Sequence, residues 1–121
     1  MSGYTDGFVI TLPKDKIEDY RKMAEIGMKI WLEHGAVDFK ECIGEDLEAK
    51  ECCGSFLSAL KVGPEETVVF SWITFQSRDH RDEVNAKVMK DPRIAGMCNS
   101  EDMPFDPQRM LYGGFEILVS S

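Results

Sequence analysis

Residues 67–75 read TVVFSWITF. Successive side chains of a strand point to opposite faces. One face therefore carries Val68, Phe70 and Trp72, and the other Val69, Ile73 and Phe75. A sheet with one wet face alternates apolar with polar residues, but this strand is apolar on both. The stretch RMLYGGFEILV, residues 109–119, repeats the pattern. Met110, Tyr112 and Leu118 oppose Leu111, Phe115, Ile117 and Val119. Its two central glycines cost strand stability, since glycine adds backbone entropy and packs nothing. Gly113 and Gly114 point to opposite faces, so space is left on both. Close packing is expected, with a bulky residue such as Trp31 or Tyr20 pressing on one bare face; the alternative is the floor of a pocket. The other gap would open into a barrel or form a bulge.

Working outward from these strands gives the order of elements. A first strand runs from Tyr4 to about Thr11. Pro13 opens a helix, where its missing N–H costs nothing, and the helix continues from Lys14 to His34. Steps of 100° per residue place Ile17, Tyr20, Ala24, Gly27, Met28 and Trp31 on one arc. Met23, Ile26 and Ile30 form an apolar shoulder beside it. Gly35 ends the helix as a left-handed residue. VDFKECI, Val37 to Ile43, is a strand, and GEDLEAKECCGS is a loop. Ser55 to Lys61 is expected as a further strand. Ser77 caps a second helix that runs to about Lys90, where Asp91 and Pro92 stop it. Residues 91–108 read as a long loop carrying Pro104 and Pro107.

Strand, helix, two strands, strand, helix, strand is the split β-α-β pattern of a ferredoxin-like, α+β fold. Its antiparallel sheet carries the helices on one face. One helix layer cannot cover both apolar faces. Two sheets packed face to face in a symmetric homodimer would, and soluble monomers rarely expose so much apolar surface. The Met23, Ile26 and Ile30 shoulder is expected to serve the same contact.

The chain has 121 residues, which suits one domain over residues 1–121. No apolar run approaches the roughly 18 residues of a membrane span. The N-terminal MSGYTDGFVITLPKDK has no basic leader ahead of an apolar segment, so the expected location is the cytoplasm. Acidic residues number 22 against 14 basic ones, for a net charge of −8. That balance disfavours nucleic acid and anionic membranes as partners. Cys42, Cys52, Cys53 and Cys98 lack C-x-x-C spacing, and free thiols are expected. No metal or cofactor is assigned.

Three stretches carry a resemblance. ETVVFSWITFQSRDHRDEVNAKVMKDPR, MPFDPQRMLYGGFE and DGFVITLPKDKIEDYRK together resemble the YbaA-like family of small bacterial proteins of unknown function. The resemblance implies a branch of the dimeric α/β-barrel superfamily. That superfamily includes cofactor-free monooxygenases, chlorite dismutase-like and haem-degrading enzymes, and ligand-binding proteins. It implies the fold read above and no particular activity, because one fold hosts many functions. Some family members carry a label as an RNA signal-recognition component, which the net charge of −8 speaks against. The ECCG loop departs from the family pattern, where cysteine is not usual.

Candidate site residues follow from the pattern. Asn85 shares the apolar arc of the second helix with Val84, Val88 and Met89. A buried amide there needs partners, either a loop backbone or a ligand. Trp31 and Trp72 are either plain core or the walls of an aromatic pocket between sheet and helices. A cavity of roughly 300 Å³ or more lined by Trp31, Trp72 and Asn85 would mark a ligand site. Asp106 and Arg109 form either an ion pair pinning the long loop or part of a cleft. Asp6 and Glu116 are acids within apolar strands, and burial would raise their pKa values. His34 suits the helix C-terminus, and His80 lies in a charged run expected on a solvated helix face. The reading is a homodimer that binds a small apolar or aromatic molecule; whether it is an enzyme stays open, and any chemistry would need no bound cofactor. The alternative is a structural or protein-interaction dimer without ligand.

Overall fold

The computed structural model describes residues 3–97 and 103–121. Strand β1, Tyr4–Pro13, pairs antiparallel with β3, Glu66–Phe75, along its whole length. On its other side β1 pairs antiparallel with β4, Leu111–Glu116. β2, Asp38–Ile43, pairs antiparallel with β3. The sheet order is β2-β3-β1-β4, the expected ferredoxin-like arrangement. Helices α1, Ile17–Glu33, and α3, Arg78–Met89, lie between the strands in sequence. Ile30 of α1 and Val84 and Val88 of α3 pack with Ile73 and Phe75 in one core cluster. Ile10, Leu12 and Val69 pack with Tyr20 and Phe105 in a second.

The register divides the side chains between two faces. Tyr4, Asp6, Phe8, Ile10 and Leu12 pair with Phe75, Ile73, Ser71, Val69 and Thr67 and share the face that the helices cover. Val9, Phe70, Trp72, Leu111 and Phe115 share the other, open face. On it Phe70 is 48%, Leu111 55% and Phe115 58% exposed. The sheet is thus apolar on both sides, covered by the helices on one, and on the other buried at Thr11 and Val68 but open at Phe70, Leu111 and Phe115.

Local chemistry sets the element ends. β1 runs to Pro13, a 3-10 turn follows over Lys14–Lys16, and α1 starts at Ile17. Gly35 has φ +114° and ends α1 as expected. Ala36 N–H donates to the Trp31 carbonyl and Gly35 N–H to that of Leu32, satisfying carbonyls that the helix end leaves free. Ser77 caps α3 by accepting from His80 N–H at 3.0 Å.

Four expectations are corrected. Residues 55–61 form no strand, because Ser55 caps a short helix, α2, Phe56–Ala59. Phe56, Leu57 and Leu60 have helical spacing, and Lys61 closes the turn at φ 53°. The loop after Asp91 contains a helix, α4, Pro92–Met97. Asp91 stops α3 and also starts α4, accepting from Arg93 N–H at 3.0 Å. The α1 shoulder is mostly covered within the chain. Ile30 is fully buried and Met23 packs beside Phe105, leaving Ile26 46% exposed. Lastly, β4 ends at Glu116, so Leu118 and Val119 extend beyond it and are exposed.

Candidate functional site

α1 crosses the helix-side face above β2 and leaves two clefts beneath it. The larger, about 270 Å³, opens between α1 and β2 and is lined by Leu12, Ile17, Met28 and Ile43 among others. The second, about 190 Å³, runs on toward Phe8, Trp31, Ile73 and Phe105. They share Tyr20, Ala24, Phe39 and Glu41. Gly27 adds no side chain to the second cleft. Met23, Met103 and Met110 line it, and methionine adapts to irregular shapes.

The polar feature common to both clefts is a pair. Tyr20 Oη donates to Glu41 Oε1 at 2.7 Å. Tyr20 is 7% exposed. Burial pushes its phenol up, and the Glu41 charge and hydrogen bond push it further. Glu41 lies on edge strand β2 with much of its surface open. Protein nevertheless crowds its carboxyl, and this loss of water raises its pKa against hydrogen bonds from Tyr20 and Ser71.

Behind Trp31 lies a second polar group. Trp31 Nε1 donates to Asn85 Oδ1 at 3.0 Å, and Asn85 Nδ2 donates to Asp6 Oδ2 at 3.5 Å. Asp6 is 1% exposed. Its other oxygen stands 3.3 Å from Arg81 Nη1, near enough for an ion pair but without hydrogen-bond alignment. Arg81 also donates to Tyr112 Oη at 2.8 Å and Tyr4 Oη at 3.2 Å. Burial raises the Asp6 pKa, opposed by Arg81, Asn85 and Tyr112. The chain of contacts ties α1, α3, β1 and β4 together and fixes the Trp31 ring.

The structure brings Trp31 and Asn85 together, but not with Trp72. Trp72 stands on the open face beside Phe70, with ring centroids 5.5 Å apart. The expected cavity lined by Trp31, Trp72 and Asn85 is therefore absent, because the sheet separates the tryptophans. Asp106 and Arg109 do not pair either. Asp106 caps a 3-10 turn by accepting from Gln108 N–H at 3.0 Å. Arg109 bonds Glu66 at 2.8 Å and the carbonyls of Leu60 and Lys61, so it pins the segment before β3. Glu116 is exposed. His34 meets Asp91 at 2.9 Å. His80 is half-buried against Phe75, not on a solvated face, and accepts from Gln76 N–H. Cys42, Cys52 and Cys53 are free and exposed, and Cys98 lies outside the described residues. Among the described residues no cluster of His, Cys, Asp and Glu is placed to hold a metal ion. No helix among them is long and apolar enough to cross a membrane.

A family model described as a protein of unknown function, DUF1428, matches residues 3–107. The chain belongs to this family. It is 42% identical over 116 residues to the uncharacterized protein YbaA of Escherichia coli strain K12, covering 96% of this chain and 97% of that one. The Shigella flexneri YbaA matches to the same extent. Among solved structures, a dimeric ferredoxin-like protein from an uncultured marine organism aligns over 100% of both chains, with TM-score 0.59 and 10% identity. A NIPSNAP-family protein of unknown function from Agrobacterium tumefaciens aligns with TM-score 0.59 and 19% identity, over 95% of this chain and 86% of that one. These likenesses are of fold.

Two of the residues that build the DUF1428 chain's polar groups escaped the sequence reading. Arg81 sits in the charged run SRDHRDE, yet positions 81, 84, 85 and 88 form one helical stripe with Val84, Asn85 and Val88. Glu41 shares one face of β2 with Phe39 and Ile43. An acid in an apolar row was the signal there, as it was for Asp6.

Proposed function

We propose that the chain acts as a cytoplasmic homodimer that binds a small apolar or aromatic molecule beneath α1. The observation that carries the binding reading is the pair of confluent clefts, mostly apolar, whose shared polar feature is the Tyr20–Glu41 pair. Such a site has the usual make-up of a small-molecule pocket, an apolar wall with few placed polar groups. The dimer reading rests on the open face, where Phe70, Leu111 and Phe115 remain exposed. A fold neighbour described as a dimeric ferredoxin-like protein supports it. Any chemistry on the bound molecule would fall to Glu41 and Tyr20.

A second reading, a dimer that binds other proteins and no small molecule, draws support from the positions of Trp72 and Asn85, neither of which lines a cleft. RNA association is disfavoured by the charge of −8. Native mass spectrometry of the purified protein separates the readings. A dimer carrying added mass supports the first. A clean dimer that takes up no apolar probe supports the second. A clean monomer overturns the homodimer.

A further inference from the structure

The chemistry of Glu41 restricts what the clefts can hold. An ionised carboxylate only accepts hydrogen bonds. Tyr20 and Ser71 are the hydrogen-bond partners of Glu41, and no basic side chain is among the groups acting on it. It is thus an acid at the edge of two mostly apolar clefts with no basic partner among the groups acting on it. The basic side chain in the cleft wall is Arg21, and its Nε is held by Glu18 at 3.2 Å on the exposed side. Glu25 adds a second acid to the same wall. Two acids against one base leave the wall net negative, within a protein of charge −8.

Aromatic residues line the second cleft together with the acid. Trp31 and Phe39 lie 6.3 Å apart and Tyr20 and Phe105 5.9 Å apart, centroid to centroid. All four line the second cleft. Ring faces attract cations, so the rings and the carboxylate favour the same charge. A carboxylate ligand would set like charge against Glu41. An ammonium group would supply the missing counter-charge and donate the hydrogen bonds that Glu41 can accept.

We infer that the clefts take an apolar amine, a molecule with an aromatic or aliphatic body and one ammonium group directed at Glu41. This inference rests on the clefts being a ligand site, as proposed above.

Three probes of matched size test it: phenethylamine, phenethyl alcohol and hydrocinnamate. Each is titrated into the full chain at neutral pH, with binding read from NMR shifts of the Trp31 indole and the Phe39 amide. The expected result is amine binding about tenfold tighter than the alcohol, a difference of about 1.4 kcal/mol, with the carboxylate weakest. Glu41→Gln should erase the amine advantage, bringing amine binding to the level of the alcohol. Its side chain stands on an edge strand with much of its surface open, and an unchanged melting curve would show that the fold is kept. Carboxylate binding equal to or tighter than amine binding overturns the inference while leaving the cleft a ligand site. An amine advantage that survives Glu41→Gln also overturns it. If none of the three shifts either signal, the ligand reading itself falls, and this inference with it.

Discussion

Tyr4 lies over Gly114 on the helix-side face, so close that a Cβ on Gly114 would fall 2.9 Å from its ring carbons and nearer still to its hydroxyl. The same hydroxyl accepts from Arg81 at 3.2 Å, so the ring cannot move aside without loosening Arg81. The glycine is therefore a packing device. Gly114→Val should destabilise the protein by about 1–3 kcal/mol through overpacking. Urea denaturation followed by circular dichroism measures this. A midpoint equal to that of the parent chain would show that Tyr4 swings away freely.

Gly113 is the contrast. A Cβ there would stand 3.4 Å from the Phe115 ring, a contact that a slight shift of an exposed side chain relieves. Gly113→Ala should cost well under the Gly114 substitution, by roughly 1 kcal/mol or less. The same denaturation series checks the order of the two.

Asp6 sets a pH dependence. Its folded pKa is raised from 3.8, burial outweighing the charge of Arg81 and the bonds from Asn85 and Tyr112, with Asp82 acting in the same direction as burial. The folded state then holds the proton more tightly than the unfolded one. Linkage makes this contribution fully present below the unfolded pKa and lost as pH rises through the folded value. Asp6→Asn removes the term, so the variant should gain stability relative to the parent as pH rises above the unfolded value of 3.8. Paired denaturation curves across that rise test the sign. A relative loss for the variant would mean that Arg81 outweighs burial.

How far the sequence reaches is clear from individual residues. The two apolar faces of TVVFSWITF, the Ser77 cap and the Gly35 turn are local or periodic signals, and each appears where expected. Residues 55–61 failed because a short apolar run fits strand and helix alike, and the Ser55 cap decided for helix. The site was harder to read. Trp31 and Trp72 look equivalent in sequence, and their separation depends on the register that assigns Trp72 to the open face. Tyr20 and Glu41 meet only through the packing of α1 on β2. The same holds for the choice of Glu66 over Asp106 by Arg109.

Arg109 holds the chain before β3 by three contacts. It pairs with Glu66 and donates to the carbonyls of Leu60 and Lys61 at 3.4 and 3.3 Å. Lys61 has φ 53°, a conformation that non-glycine residues keep only where surroundings hold it. Arg109→Gln should loosen this turn and speed tryptic cleavage after Lys61 severalfold, with the melting curve little changed. Mass spectrometry of timed digests gives the rate. An unchanged rate would mean that α2 and its Ser55 cap hold the turn unaided.

The open face carries the last prediction. Gly7 and Gly113 oppose each other in the β1–β4 ladder, and the Phe115 ring lies over both, since a Cβ on either would meet it at 3.3 to 3.4 Å. Phe115 thus spreads across the bare middle of the face while remaining 58% exposed. Glutamate at this position removes little packing from a lone chain. In a two-fold dimer built on this face, however, it buries two like charges without partners, a cost that a surface substitution does not carry. Phe115→Glu should therefore give a folded monomer where the parent chain is a dimer, as read by light scattering behind size-exclusion chromatography. Lys40 and Asp38, paired at 2.6 Å on the same face of edge strand β2, give the control. Lys40→Ala removes an ion pair from the polar margin of the face and should leave the dimer intact. If Phe115→Glu stays dimeric and folded, the contact between copies lies elsewhere, and the open face needs another occupant.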